Sequence, residues 1–284
     1  MRATVMAEKY NLLRVKPLTP HLGAEVFGAD LAAASPQQQV EVHRAFLEHG
    51  VLVFRDQNID REQHKNFGRQ FGALHVHPSV RYLGARGDPE IFTIRTTPSS
   101  AYTNGEGWHS DVSCELVPPM ASILYVREMP GTCGGDTLFA NMYEAYEALS
   151  LPVRRLLETL TAVHDGRKDL AAYNFTLKPG QSYPVAEHPV VVRHPETGRK
   201  LLFVNSSFTS HIPQLNRRES DALLAMLYGH IETGARFQCR VRWAPGSITL
   251  WDNRCTQHHA VWDYYPNTRS AERVTVADTV RPAR

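Results

Sequence analysis

The strongest constraint on the fold is a set of short segments of strand character. In FQCRVRW, apolar and polar residues alternate, the pattern of a strand with one buried face. The runs VLVFRD, ASILYV, DTLFAN, KLLFVN, ITLWDN and RVTVADTV are also of strand type. Many short strands separated by long loops point to a sandwich or a jelly-roll barrel that carries a few helices on its outside.

Those helices are predicted from their start signals, which are Ser35 followed by Pro36, Asp60 with Gln63, Ser150 in SLPVRRLLETL, and Asn216 with Glu219. The first helix should end at Gly50 and the second near Gly72. The 284 residues contain no internal repeat and no linker-like stretch, so one domain is the simplest division.

Charge and hydropathy exclude several partners. The 31 Lys and Arg residues nearly balance the 29 Asp and Glu residues without forming a basic run, so nucleic acid is not expected. The N-terminus MRATVMAEKYNLLRV lacks a signal-peptide core, and no segment approaches the roughly 20 apolar residues of a membrane span. The four widely spaced cysteines fit reduced thiols. We therefore expect a cytoplasmic protein without a membrane partner.

The chain has 14 histidines, so their positions in the sequence have to show which of them are functional. His194 in RHPETGRK is expected in an exposed turn. In WHSDVS, His109 and Asp111 stand two residues apart and would project from one face of an extended chain. Such a pair also arises by chance as an exposed hydrogen-bonding pair, so the dipeptide leaves open whether it is half of a metal site.

A metal that binds a cosubstrate and oxygen needs open positions, which two imidazoles and one carboxylate provide. The best candidate for the third ligand is His258 in WDNRCTQHHAVWDYYPNTRSAER, expected in a loop or at the start of a strand. Arg269 stands 11 residues after His258, and Arg273 follows four residues later. Two buried guanidinium groups would be costly without anions. A dicarboxylate cosubstrate would offset that cost.

Three segments together resemble the taurine dioxygenase (TauD/TfdA) group of non-haem Fe(II)- and 2-oxoglutarate-dependent dioxygenases. They are WHSDVS, PGTCGGDTLFANMYEAYEALS and WDNRCTQHHAVWDYYPNTRSAERVTV. That group includes alkylsulfatases and phenoxyalkanoate-herbicide dioxygenases. The resemblance implies a mainly β fold with flanking helices around a double-stranded β-helix, the cupin-like jelly roll. It implies one domain over 1–284, with an N-terminal extension over 1–17 and a core over about 18–280.

Carried over residue by residue, the resemblance places the iron ligands on His109, Asp111 and His258. His259 is assigned to the structure beside the site rather than to the iron. The resemblance also matches Thr137 and Arg269 to the residues that bind the distal carboxylate of 2-oxoglutarate. The planar guanidinium group of an arginine engages a carboxylate through two parallel hydrogen bonds. An alternative reading of Thr137 is an ordinary residue at the start of a strand.

At the substrate end, His77 in LHVHP and Arg273 match residues that hold the anionic group, and Phe208 matches a pocket wall. Three alternatives stay open: His77 orients a loop, Arg273 braces the 2-oxoglutarate carboxylate, and Phe208 is ordinary core. TNGEGW, PSVRYLG and DGRKDLAAYNFTLKPG depart from the taurine pattern. An anionic substrate is therefore better supported than taurine itself.

The resemblance implies hydroxylation of a small anionic organic substrate by Fe(II), 2-oxoglutarate and O2, with release of a leaving group, succinate and CO2. Taurine or a related sulfonate is the first expectation, and an alkyl sulfate or an aryloxyalkanoate is the alternative. Two other classes stay open: a zinc-type metallohydrolase with the same three ligands, and a non-catalytic jelly-roll binding protein. The resemblance also implies a homo-oligomer.

Overall fold

The computed structural model describes residues 10–83, 87–131, 133–171 and 177–284. Residues 1–9 of the predicted N-terminal extension lie outside the described residues. The strands, in chain order, are β1 (Arg14–Pro17), β2 (Ala24–Phe27), β3 (Val51–Phe54), β4 (Phe92–Thr96), β5 (Ala121–Glu128), β6 (Thr137–Asn141), β7 (Thr161–Asp165), β8 (Val185–Pro189), β9 (Val191–Arg193), β10 (Lys200–Leu202), β11 (Thr209–His211), β12 (Gln238–Val241), β13 (Ile248–Asp252), β14 (Thr256–Ala260) and β15 (Arg269–Val276). The helices are α1 (Pro36–His49), α2 (Arg61–Arg69), α3 (Pro78–Leu83), α4 (Met142–Glu147), α5 (Leu151–Leu157), α6 (Arg167–Leu170) and α7 (Arg217–Glu232).

Two sheets face each other across a buried core. The large sheet has the order β1-β2-β3-β13-β5-β15-β4, and the small sheet has the order β12-β6-β14. Neighbouring strands in the large sheet are antiparallel except for the parallel pair β2 and β3. Leu124 and Trp251 of the large sheet share one apolar cluster with Phe139 and Val241 of the small sheet. This face-to-face packing is what the jelly-roll prediction requires.

The apolar run VLVF in β3 follows from its central position, because it is buried on both faces. Val51 and Val53 belong to the core between the sheets, whereas Leu52 and Phe54 belong to the cluster under α1 and α2. By contrast, β12 alternates as predicted, with Cys239 and Val241 buried and Arg240 exposed. The period of the apolar pattern thus reports how many faces of each strand are covered.

The predicted helix starts are confirmed. Capping boxes open α1, α2 and α7 at Ser35, Asp60 and Asn216. Gly50 ends α1 in the left-handed conformation, at φ 67°. The second helix ends at Arg69 rather than near Gly72, because the backbone N–H of Phe71 bonds to the Gly68 carbonyl and closes the last turn early.

Replacing Ser35 with alanine is expected to lower the free energy of unfolding by about 1 kcal/mol. The Ser35 hydroxyl accepts the backbone N–H of Gln38 at 3.2 Å, and the Gln38 side chain returns a bond to the backbone N–H of Ser35 at 3.1 Å. Ser150 is the matched control, since it occupies the N-cap of α5 without a side-chain cap bond. Chemical denaturation should show a change below about 0.5 kcal/mol for Ser150→Ala. Equal losses in both variants would contradict this account.

His194 is buried, and the expectation that it lies in an exposed turn is wrong. Its Nε2 donates to Asp252 Oδ2 at 3.0 Å, while its Nδ1 accepts the backbone N–H groups of Glu196 and Thr197. Arg254 donates to both oxygens of Asp252, at 2.9 and 2.7 Å. A polar turn sequence does not reveal this burial, because every polar group of the ring is paired inside the fold.

No helix among the described residues is both long and apolar enough to cross a membrane.

Candidate metal centre and cavity

His109 and His258 meet as neighbours across a short antiparallel pairing. The N–H of His109 donates to the His258 carbonyl at 3.1 Å, and the N–H of His258 donates to the His109 carbonyl at 2.8 Å. This exchange of bonds puts both side chains on one face, and their ring centroids are 4.0 Å apart. His258 lies in the middle of β14, rather than in a loop or at the start of a strand.

Asp111 does not continue an extended strand, so that part of the sequence interpretation is wrong. His109 forms an isolated bridge, the chain turns at Asp111, and Val112 has a φ of 48°. Asn253 holds this turn, because its Oδ1 accepts the N–H of Asp111 at 2.5 Å and its Nδ2 donates to the Asp111 carbonyl at 2.9 Å. One amide side chain therefore satisfies the two backbone groups that a partner strand would otherwise pair.

The two oxygens of the buried Asp111 carboxylate have different partners. Oδ2 accepts the hydroxyl of Ser122 at 2.7 Å. Oδ1 accepts Nη1 of Arg273 at 2.5 Å and lies 3.8 Å from His109 Nε2 and 3.9 Å from His258 Nε2. Burial raises the pKa of Asp111, but the Coulombic effects of Arg273 and the two histidines outweigh it, so the pKa lies well below the usual range.

His109, Asp111 and His258 are buried and offer one donor atom each, all within 4.8 Å of one another. The Nδ1 of His109 is hydrogen-bonded to the Gly107 carbonyl at 2.7 Å, which leaves Nε2 as its ligand atom. Burial, followed by the neighbouring His109, holds the pKa of His258 well below its usual value. A neutral imidazole and an ionised carboxylate are the forms that bind metal. The donor set fits a divalent first-row ion with open positions, such as Fe(II).

His259 lies outside this group of donors. It is only half-buried, and its ring packs beside Trp108 with the centroids 5.7 Å apart. Successive residues of a strand point to opposite faces, so His258 and His259 cannot both face the same metal.

A cavity of about 50 Å³ opens beside the three donors. All eight site residues predicted from the sequence line it: His77, His109, Asp111, Thr137, Phe208, His258, Arg269 and Arg273. They come from both sheets and from three loops, so the fold brings together groups that are distant in the chain. Much of the remaining wall is apolar.

Arg269 is buried at the first position of β15, and its side chain forms no ion pair with the described residues; its Nε is a buried donor without a hydrogen-bond partner. Burial lowers its pKa. The guanidinium carbon lies 5.8 Å from the centroid of the Trp243 ring. The indole N–H of Trp243 donates to the Thr137 hydroxyl at 3.0 Å. A Cβ at Gly135 would lie 3.1 Å from Arg269 Cδ, so glycine there leaves room for the arginine. This end of the cavity is suited to an anion.

Two further donors, His77 and Arg273, flank the aromatic ring of Phe92. The His77 ring centroid is 4.6 Å from that of Phe92, and the guanidinium carbon of Arg273 is 5.1 Å from it. Burial, followed by the charge of Arg273, keeps the pKa of His77 well below its usual value. His77 Nδ1 lies 2.6 Å from the Ser79 hydroxyl. The neutral ring and the buried Nε of Arg273 therefore remain as polar groups near the cavity.

Phe208 is almost fully buried and forms a small apolar cluster with Val112 and Cys114. Its ring stands edge-on to that of His109, with the centroids 6.5 Å apart. It therefore both lines the cavity and packs the loop that carries Asp111, so the two alternatives for this residue are compatible.

The sequence interpretation missed four polar or aromatic groups at the site: Trp243, Asn253, Ser122 and Asp169. Trp243 was assigned only to the buried face of a strand, and Asn253 lay inside a quoted motif without a role. Asp169, half-buried on α6, adds a carboxylate to the cavity wall. Residues 172–176 of the divergent segment DGRKDLAAYNFTLKPG lie outside the described residues. No local pattern marks these groups, because their places at the site are set only in the folded chain.

His194, Asp252 and Cys255 form a second group of close donor atoms. Arg254 already engages both oxygens of Asp252, and the pKa of Asp252 falls to about 2, because the charge and hydrogen bonds of Arg254 outweigh the effect of burial. The paired carboxylate makes this group a structural network rather than a metal site.

Comparisons with known proteins agree with this geometry. A family model described as "Taurine catabolism dioxygenase TauD, TfdA family" matches residues 14–275. The chain is 38% identical to the alpha-ketoglutarate-dependent sulfonate dioxygenase of Saccharomyces cerevisiae, across 94% of this chain and 68% of that protein. It is 35% identical to an alkylsulfatase of Acinetobacter baylyi, across 94% of this chain and 86% of that protein.

A solved structure of a taurine dioxygenase from Burkholderia xenovorans superposes with a TM-score of 0.81 at 37% identity, covering 96% of this chain and 91% of that chain. The predicted mainly β fold with a jelly-roll core is thereby confirmed.

Proposed function

Because this chain belongs to the TauD/TfdA family of dioxygenases, we propose that His109, Asp111 and His258 hold its Fe(II). The protein is an oxidoreductase that uses Fe(II) and 2-oxoglutarate, as its family does. The observation that carries the assignment is the group of three buried donors within 4.8 Å at the wall of the cavity. Family membership favours a dioxygenase over a zinc-type hydrolase or a non-catalytic binding protein.

For 2-oxoglutarate, Arg269 and Thr137 are the proposed partners of the distal carboxylate. Arg269 is a buried cation that pairs with no acidic side chain of the described chain. A carboxylate would restore the charge balance through two parallel bonds. A zinc-type hydrolase that activates water would not need Arg269 at this position.

When bound, Fe(II) and 2-oxoglutarate supply the oxidising chemistry that consumes O2 and yields succinate and CO2. The protein keeps the Asp111 carboxylate ionised and the His258 ring neutral, orients the cosubstrate through Arg269 and excludes water. Phe92, Leu124, Phe139 and Phe208 provide the apolar walls for that exclusion. Arg273 and His77 bring donors to one side of the cavity, where an anionic substrate group would be oriented.

The proposed substrate is a small organic anion, with taurine or a related sulfonate first and an alkyl sulfate or aryloxyalkanoate as the alternative. The relative in Saccharomyces cerevisiae supports the sulfonate, and the relative in Acinetobacter baylyi supports the sulfate ester. The donors Arg273 and His77 support all three, because each class presents oxygens that accept hydrogen bonds from them.

A panel of sulfonates, alkyl sulfates and aryloxyalkanoates should stimulate succinate formation, whereas uncharged analogues of the same size should not. Wild-type enzyme would be assayed with Fe(II), 2-oxoglutarate and O2, with succinate as the readout. In Arg273→Gln, the KM of the best anion should rise by roughly 10-fold or more, since hydrogen bonds to charged groups contribute about 1.5–3 kcal/mol each. Stimulation by uncharged compounds alone would contradict the roles of His77 and Arg273.

Four other expectations stay predictions: a cytoplasmic location, a homo-oligomer, a single domain and no nucleic-acid partner. The near balance of 31 basic and 29 acidic residues supports the last.

A further inference from the structure

The Asp111 carboxylate is oriented by a side chain that lies outside the cavity wall. Ser122 on β5 is fully buried and donates its hydroxyl to Oδ2 of Asp111 at 2.7 Å. The other oxygen, Oδ1, is the one that lies within 4 Å of the Nε2 atoms of both His109 and His258. Ser122 on Oδ2 and Arg273 Nη1, 2.5 Å from Oδ1, together hold the carboxylate with Oδ1 facing the histidines.

The backbone of the same residue is held by Asn253, which is 1% exposed. Besides its two bonds to the Asp111 backbone, Asn253 Nδ2 donates to the Pro119 carbonyl at 2.8 Å, and its own N–H donates to the Met120 carbonyl at 2.9 Å. Asn253 stands in the turn between β13 and β14, and β14 carries His258. Asn253 thus connects the turn that carries Asp111, the turn that leads into the strand of His258 and the segment just before the strand that carries Ser122.

This arrangement holds a strained backbone next to the carboxylate. Val112 has a φ of 48°, and a β-branched side chain is a rare occupant of the left-handed region. Such a conformation costs about 1–3 kcal/mol and persists only where the surroundings over-determine it. The Asn253 bonds to Asp111 and the bond from Glu115 N–H to the Val112 carbonyl at 2.9 Å provide that constraint.

We propose that Ser122 and Asn253 are positioning residues that fix Asp111 as a ligand through one oxygen, Oδ1. The inference rests on the proposed role of Asp111 as a metal ligand. Asn253 sets the position of the backbone, and Ser122, by holding Oδ2, fixes the rotation of the carboxylate together with the bond from Arg273 to Oδ1. Binding through one oxygen keeps free a coordination position that a second carboxylate oxygen would fill, and this reaction needs positions for cosubstrate and oxygen.

Ser122→Ala tests the inference by deleting one oxygen atom. Titration with Co(II), followed by visible absorption, reports both the dissociation constant and the coordination number without any turnover. We expect the variant to bind Co(II) about 10–100-fold more weakly, the usual cost of losing a partner of a metal ligand. We also expect a changed absorption spectrum, because the released carboxylate can turn and engage the ion with both oxygens.

Ser220→Ala is the matched control, because Ser220 is equally buried and accepts the N–H of Ile212 at 2.9 Å but lines no part of the cavity. It should lose stability while keeping the wild-type Co(II) affinity and spectrum. Asn253→Asp is the second variant, since it retains the acceptor for the Asp111 N–H and loses both donors. It should also weaken Co(II) binding.

Wild-type affinity and spectrum in a folded Ser122→Ala protein would overturn the inference and leave the proposed function standing, as would an effect confined to thermal stability. Absence of Co(II) binding by the wild type, or binding that survives Asp111→Ala unchanged, would overturn the proposed metal site and the inference together.

Discussion

Asp111→Ala is expected to abolish the binding of Fe(II) and the turnover of 2-oxoglutarate. The substitution removes the only anionic donor of the group and leaves the Arg273 guanidinium, 2.5 Å from Oδ1 in the native protein, without that partner. Two imidazoles beside an unpaired cation, with no anionic ligand, are a poor site for a divalent ion. The loss of affinity should therefore exceed the roughly 10–100-fold cost of an outer-shell substitution.

An anaerobic titration measures this loss. Wild-type protein with Fe(II) and 2-oxoglutarate should develop a charge-transfer band in the visible, and the band should vanish in Asp111→Ala. Asp88→Ala is the control, because Asp88 also forms a close ion pair, with Lys65 Nζ at 2.5 Å, but lies outside the cavity. It should retain the band. A band of wild-type intensity in Asp111→Ala would show that the ligand assignment is wrong.

Arg269→Met is expected to weaken the binding of 2-oxoglutarate and, at the same time, to raise the free energy of unfolding. The substitution would remove the two proposed charge-assisted bonds to the distal carboxylate, each worth roughly 1.5–3 kcal/mol, so the Kd of 2-oxoglutarate should rise at least about 10²-fold. Without the cosubstrate, the same change replaces a buried guanidinium that has no acidic partner in the described chain. The free energy of unfolding should then increase by about 1–4 kcal/mol, the range found when buried ion pairs are replaced by well-packed apolar side chains.

Two measurements on one protein test this opposition: equilibrium denaturation without cosubstrate, and 2-oxoglutarate binding by calorimetry with Fe(II) under anaerobic conditions. Arg269→Lys should bind with intermediate affinity, because lysine keeps the charge but not the planar fork. Arg240→Ala is the control, since Arg240 is exposed, pairs with Asp136 at 2.6 Å and lines no part of the cavity. A destabilised Arg269→Met with unchanged affinity would assign Arg269 to the core.

The parts of the fold that the sequence predicted are those governed by nearest neighbours. Ser35, Asp60 and Asn216 begin helices because their capping bonds span three residues. The alternation in FQCRVRW appears as β12, because a pleated strand forces a period of two. The eight site residues taken from the family resemblance all line one cavity in the structure.

The failures have one physical origin. WHSDVS was interpreted as extended, but Asn253, far along the chain, pairs the Asp111 backbone and lets the chain turn. His194 was expected in solvent, but Asp252 and two backbone N–H groups satisfy its ring in the interior. In both cases the deciding partner is distant in sequence, so no local pattern contains it.

The sequence by itself determined which functional groups the site can use. They are two imidazoles, a carboxylate and two arginines in the motifs of a dioxygenase family. Tertiary structure alone decided how these groups are presented. The reciprocal backbone bonds between His109 and His258 place the imidazoles side by side, and the bonds from Ser122 and Arg273 orient the Asp111 carboxylate with Oδ1 toward them. The physical reason is that a side chain's type is written in the chain, whereas its direction and protonation state depend on partners that only folding brings within hydrogen-bonding distance.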